Sequence, residues 1–244
     1  MVQSVNRFYC LVAYLGVTMA GMLFSADPDS SDWVVPPMNQ ADLLLYKQSL
    51  LPNQSMKLQV LEELTDRWHR GVRSVEDPSV LYILEYLAGE GVHSRIQSSE
   101  PRDFPLVRRK AVFLLGLIGG ERARKILDGV LLQDPEPMVV AEAIHALRRN
   151  HFPLTSEEMQ GLLAVFSRQI LPKRDANLAY AALLLLRDCP LTYGNPLVSN
   201  LFSQVLALLD LPFSKEIKEL ASEWIHRWIQ PVENRDGEGS VQRE

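Results

Sequence analysis

A triplet of residues recurs at a fixed offset in the middle of this chain. Val107, Ala111 and Leu115 reappear as Val139, Ala143 and Leu147, each 32 residues further on, and Pro105 reappears as Pro137. The four-residue stride inside each triplet puts its members on one face of a helix. A repeat of this length suits one helix–turn–helix unit. Such a unit cannot bury its apolar face alone, so copies stack, and the stack is an α-solenoid. The repeat predicts an architecture and a surface for a partner, and it predicts no reaction.

The rhythm extends through the chain with less regularity. Leu178, Ala182 and Leu186 stand 39 residues after the second triplet, and Ile217, Ala221 and Ile225 another 39 beyond. A short opening helix is predicted over 41–51, closed by Pro52. Ser55 is expected to cap the next helix, with Leu58, Leu61, Leu64 and Trp68 on its inner face. Pro78 suits a first helical position, and Val80, Leu81, Leu84 and Leu87 form a stripe that Gly89 ends. Residues 89–105 read as a long polar connection.

After the helix of Val107, Ala111, Leu114, Leu115 and Ile118, the pair Gly119-Gly120 marks a stop. Its partner carries Ala123, Ile126, Leu127, Val130 and Leu131, and Asp134-Pro135 turns the chain again. Thr155 with Glu158 forms a capping box before Met159, Leu162, Leu163, Phe166 and Ile170. Pro196 introduces Val198, Leu201, Phe202, Val205 and Leu209. The last helix is expected to cap the array without a hairpin partner. No strand alternation competes with these patterns, so the fold class is all-α, with about four to five degenerate hairpins over 39–230.

The stretch Pro105-Leu106-Val107-Arg108-Arg109-Lys110-Ala111, followed by Leu115-Gly116-Leu117-Ile118-Gly119, resembles the HEAT-like repeat family, including its phycobilisome-lyase type. Ala123, Leu127, Leu131, Asp134 and Val139 fall where that pattern continues. The resemblance covers about 53–230 and implies HEAT-like hairpins. It also implies an arginine–aspartate ladder between repeats, at the positions of Arg108 and Asp134. In the next repeat Val140 replaces the arginine and Arg148 the glycine, so no ladder is expected there. The family holds scaffolds, transport receptors, regulatory subunits and a few enzymes, so it implies little about activity.

The first residues depart from the rest. Positions 8–24 are uncharged and mostly apolar, follow Arg7, and lead into Ser25-Ala26-Asp27. This pattern predicts a signal peptide over 1–26, cut after Ala26, with a retained membrane anchor as the alternative. Residues 27–38, with Pro28, Pro36 and Pro37, read as a linker, and 231–244 as a disordered tail. The main domain is thus expected in the periplasm or outside the cell, free or anchored, with membrane contact confined to 8–24. Removal of the leader leaves Cys189 alone, expected as a small buried hydrophobe. Asn53-Gln54-Ser55 matches the glycosylation sequon.

The 244 residues are 47% hydrophobic and 23% charged, enough for one sizeable core, and the net charge is -5. An acidic balance disfavours nucleic acid as a partner. The densest charge feature is basic: Arg108, Arg109, Lys110, Arg122, Arg124 and Lys125 come from two helices of one repeat. With Arg108 assigned to the ladder, the other five are candidates for binding an acidic partner. Trp224 and Trp228 share a face of the last helix, whose apolar arc also includes Leu220, Ile225 and Ile229. They are candidates for a docking hot spot, with Trp68 and His69 a weaker hint at the opposite end.

No catalytic, cofactor or metal site is expected. His69, His93, His145, His151 and His226 lack ligand spacing, no glycine loop carries a P-loop lysine, and Glu62-Glu63 and Glu157-Glu158 sit where helix surfaces place carboxylates. The expected function is a non-enzymatic envelope scaffold that binds a protein, through polar positions within 122–133, 156–170 and 195–209. A membrane-anchored adaptor and a lyase-like chaperone holding a small ligand between repeats are the alternatives.

Overall fold

The computed structural model describes residues 35–71, 77–92, 103–150, 152–169, 174–189 and 196–229. The predicted leader, most of the linker, the tail, His93, His151 and Ile170 lie outside them. Among the described residues there are ten helices and no strand: α1 (Gln40–Ser49), α2 (Gln54–His69), α3 (Pro78–Ala88), α4 (Pro105–Ile118), α5 (Gly120–Gln133), α6 (Pro137–Arg149), α7 (Ser156–Gln169), α8 (Ala176–Asp188), α9 (Pro196–Leu208) and α10 (Lys215–Ile229).

Local chemistry sets most of the helix starts. Asn39, Asn53, Asp77 and Asp175 accept backbone N–H groups at the first turns of α1, α2, α3 and α8, satisfying donors that a helix leaves orphaned. Asn53 therefore caps α2, where Ser55 was expected. Its side chain takes two N–H groups, from Ser55 and Met56. The Thr155–Glu158 capping box forms as read, with reciprocal bonds of 2.7 and 3.1 Å. Proline opens α3, α4 and α6, where its missing N–H costs nothing. Gly119, at φ 69°, reverses the chain between α4 and α5, a conformation that favours glycine.

The helices alternate between two layers, each helix packing on the element two places along. One layer runs α2, α4, α6, α8, α10 and the other α1, α3, α5, α7, α9. This arrangement is compatible with an α-solenoid. Across the layers the close neighbours are α1 with α2, α3 with α4, α5 with α6, α7 with α8 and α9 with α10, and α4 with α5 in addition. The last helix is therefore not partnerless: α10 packs on both α8 and α9.

The repeated triplet forms the spine of the core. Val107, Ala111, Leu115, Val139, Ala143, Leu178, Ala182, Leu186, Ile217, Ala221 and Ile225 are all buried. Glycine permits two close crossings. A Cβ at Gly116 would meet Ala146 Cβ at 2.5 Å, and one at Gly161 would meet Leu131 Cγ at 2.5 Å. Those two glycines bring α4 onto α6 and α5 onto α7 at less than ordinary side-chain distance.

Candidate partner-binding surfaces

The six cations of the basic cluster do not form one patch. Arg108 is fully buried, as the ladder requires: its Nε and Nη2 donate to the two oxygens of Asp134 at 2.7 and 3.2 Å. Its Nη1 donates to the Glu90 carbonyl at 3.1 Å and to Asp103. Hydrogen bonding and charge from Asp134 and Asp103 outweigh burial and hold the guanidinium pKa above its ordinary value. In the following repeat the position of Arg108 is held by Val140, which is fully buried.

The five surface candidates divide between the layers. Arg109 and Lys110 on α4 pair with Glu142 of α6 at 3.3 Å and Glu62 of α2 at 3.5 Å. Arg122 on α5 lies 3.6 Å from Glu85 of α3, and Lys125 lies 3.5 Å from Glu121. Each is exposed or partly so, but each has a carboxylate beside it, which lowers the local positive potential. Arg124 is drawn inward and grips Glu158 of α7 through Nε at 2.7 Å and Nη2 at 2.6 Å. It also donates to the Pro153 carbonyl at 2.6 Å and covers the Phe152 ring at 5.4 Å.

The two tryptophans have different environments. Trp224 is 2% exposed, with its ring 6.4 Å from Phe202 and 5.9 Å from Trp228. It belongs to the core between α9 and α10. Trp228 is half-buried and presents the aromatic surface that α10 retains. At the other end Trp68 is half-buried and His69 exposed.

Three features escaped the reading of the residues. Glu158, expected on a helix surface, is buried, because Arg124 arrives from 34 residues upstream to neutralise it. Beside it lies Asp128, whose Oδ1 is enclosed without a hydrogen-bond partner. Burial first, then the charge of Glu158, pushes the Asp128 carboxyl up to about 7, against the opposing pull of Arg124. The second feature is Lys57, fully buried on the inner face of α2, while the expected Leu58 and Trp68 pack partly buried against the same core. It donates to the Ser49 carbonyl and to Glu90 Oε2, the latter at 3.0 Å, and sits 5.0 Å from the Tyr86 ring centre. Burial and Glu90 raise the Tyr86 hydroxyl well above its usual range.

The third is α1, which buries two polar residues beside Leu45 and leaves two leucines exposed. Its buried residues are Asp42, Leu45 and Ser49. Arg67 of α2 holds Asp42 at 2.7 Å. Its outward side and the two residues after it expose Leu43 (39%), Leu44 (57%), Leu50 (45%) and Leu51 (45%).

Cys189 is buried as expected, and burial lifts its thiol to about 11, which keeps it protonated and unreactive at neutral pH. Among the described residues no group of histidine, cysteine and carboxylates is placed to hold a metal ion. His145, half-buried on α6, has its pKa lowered by burial and by Arg148. An open depression beside α10 is lined by Phe213, Lys215, Lys218, Glu219 and Ser222. The exposed edge of the second layer carries Arg122 and Lys125 on α5, Gln160 and Ser167 on α7, and Asn200 and Ser203 on α9. No family model, curated protein or solved structure matches this chain.

Proposed function

We propose that this protein is a non-enzymatic scaffold exported to the periplasm or cell envelope, a short α-solenoid of degenerate HEAT-like hairpins that binds another protein. The observation that carries the reading is the two-layer packing. It sets α5, α7 and α9 side by side, with polar side chains along their free edge. A broad, mixed polar surface on rigid helices suits a protein partner better than a small ligand, which is usually enclosed in a concave, largely apolar site. The Arg108–Asp134 ladder and the glycine-mediated crossing of α4 on α6 support the HEAT-like assignment. Export rests on the uncharged run at 8–24. Its retention as an anchor is the second reading, and the 17-residue length of that run, at the lower limit of a bilayer span, favours it. In-cell crosslinking followed by affinity isolation of the full chain tests the scaffold. One protein recovered in fixed proportion is expected, and recovery of the chain alone contradicts it.

A further inference from the structure

We propose that the outward face of α1 rests on a lipid bilayer that contains anionic lipid, with Leu43, Leu44, Leu50 and Leu51 at the boundary between headgroups and acyl chains. The proposal rests on the reading that residues 8–24 remain as an anchor. Leu43, Leu44 and the C-cap Leu50 share one stripe on helical spacing, and Leu51 stands exposed in the turn that follows. Lys47, also exposed, falls in the middle of that stripe.

The opposite side of the helix is fixed by polar anchors. Arg67 holds Asp42 at 2.7 Å, Asn39 donates to Asp42 at 2.7 Å, and Lys57 reaches the Ser49 carbonyl. Rotation of α1 to bury its leucines would break the bonds from Arg67 and Lys57. The apolar face is therefore held outward by construction.

The chemistry of the stripe selects the occupant. A lysine in the centre of these leucines is a poor match for the desolvated core of a protein interface, where lysine is depleted. It fits a membrane surface, where the butyl stem lies along apolar groups and the ammonium reaches phosphate oxygens. Chain length adds a second argument. Fifteen residues, 25–39, separate the uncharged run from α1, a tether of at most about 50 Å. A segment inserted at 8–24 would hold this weak apolar face at a high effective concentration over the bilayer, which one short helix could not achieve alone.

The test uses the full chain with Cys10→Ser and Cys189→Ala, reconstituted in vesicles of phosphatidylcholine and phosphatidylglycerol. An environment-sensitive fluorophore is attached at Leu44→Cys or, in a second preparation, at Gln160→Cys. The expected result is a blue-shifted emission at 44 that nitroxide-labelled lipids quench, with 160 behaving as in water. The double variant Leu43→Asp, Leu50→Asp, altered only at exposed positions, is expected to lose both the shift and the quenching while keeping its helical circular dichroism. If the chain floats with the vesicles but 44 reports water, the docking is wrong and the anchor stands. If the chain does not float, anchor and docking fall together. A shifted but unquenched signal assigns the face to another copy of this chain and overturns the proposal.

Discussion

Arg108 on α4 and Asp134 at the end of α5 meet through two hydrogen bonds, 2.7 and 3.2 Å, and both side chains are buried. Asp134 Oδ1 also accepts the Glu136 N–H at 2.8 Å, so the same carboxylate orders the turn into α6. The ladder thus joins α4, the α5–α6 connection and, through the Glu90 carbonyl, the end of α3. Breaking a buried pair by removing one partner strands the other charge, at a typical cost of about 3–5 kcal/mol. Asp134→Ala should destabilise by that amount in urea unfolding. The double variant Arg108→Met, Asp134→Ala should cost less than the sum of the two single changes, and additive losses would show that the pair is not coupled.

Glycine on α4 and α5 gives a contrasting pair. At Gly116 an added methyl would lie 2.5 Å from Ala146 Cβ and 2.9 Å from its Cα, whereas at Gly129 nothing lies within 4 Å. Gly129→Ala should stabilise by about 0.5–1 kcal/mol, the helix-propensity difference. Gly116→Ala gains the same propensity but overpacks the α4–α6 crossing, for a net loss of about 1–2 kcal/mol. Equal effects at the two sites in thermal unfolding would contradict the close crossing.

Asp128 predicts a pH dependence with a defined sign. Its carboxyl is raised from an ordinary 3.8 to about 7 in the fold, so the folded state holds that proton more tightly than the unfolded chain does. Between pH 4 and 7 stability should therefore fall as pH rises, because folding must then keep a buried charge beside Glu158. Partial exposure screens the effect to about 1–2 kcal/mol. Asp128→Asn, neutral at every pH, should be more stable than the parent at pH 8 and should remove that part of the slope. A parallel pair of stability–pH curves would sink the assignment.

The tryptophans of α10 should separate in a stability measurement. Trp224 is enclosed by Phe202 and Trp228, and its replacement by alanine should cost about 3–5 kcal/mol. Trp228→Ala, at a half-buried position, should cost less and leave the melting transition cooperative. A reversed order would place the wrong ring inside.

The residues that carry the fold were legible where the signal is local. The Val–Ala–Leu stride, the prolines at first helical positions, Gly119 and the Thr155–Glu158 box all act within a turn or two, and the structure realises each. What stayed hidden depends on partners distant in sequence. Lys57 reads as a surface lysine until Glu90, 33 residues on, appears beside it. Glu158 likewise reads as solvated until Arg124 arrives. Leu43 and Leu44 of α1 point outward for the same reason: Arg67 and Lys57, both on α2, hold Asp42 and Ser49 inward. The candidate surface was less legible than the core. Exposure of a cation follows from periodicity, but pairing across helices does not, and Arg109, Lys110 and Arg122 each face an acid from a neighbouring helix.

The scaffold reading meets its most direct test in site-specific photocrosslinking within the native envelope. A photoreactive residue at Gln160 on α7 and another at Asn200 on α9 lie on the free edge of the second layer, while Asn177 on α8 lies exposed in the other layer. The account predicts adducts to one and the same protein from 160 and 200, and none from 177. Adducts absent from both second-layer positions, or obtained only from 177, would contradict it.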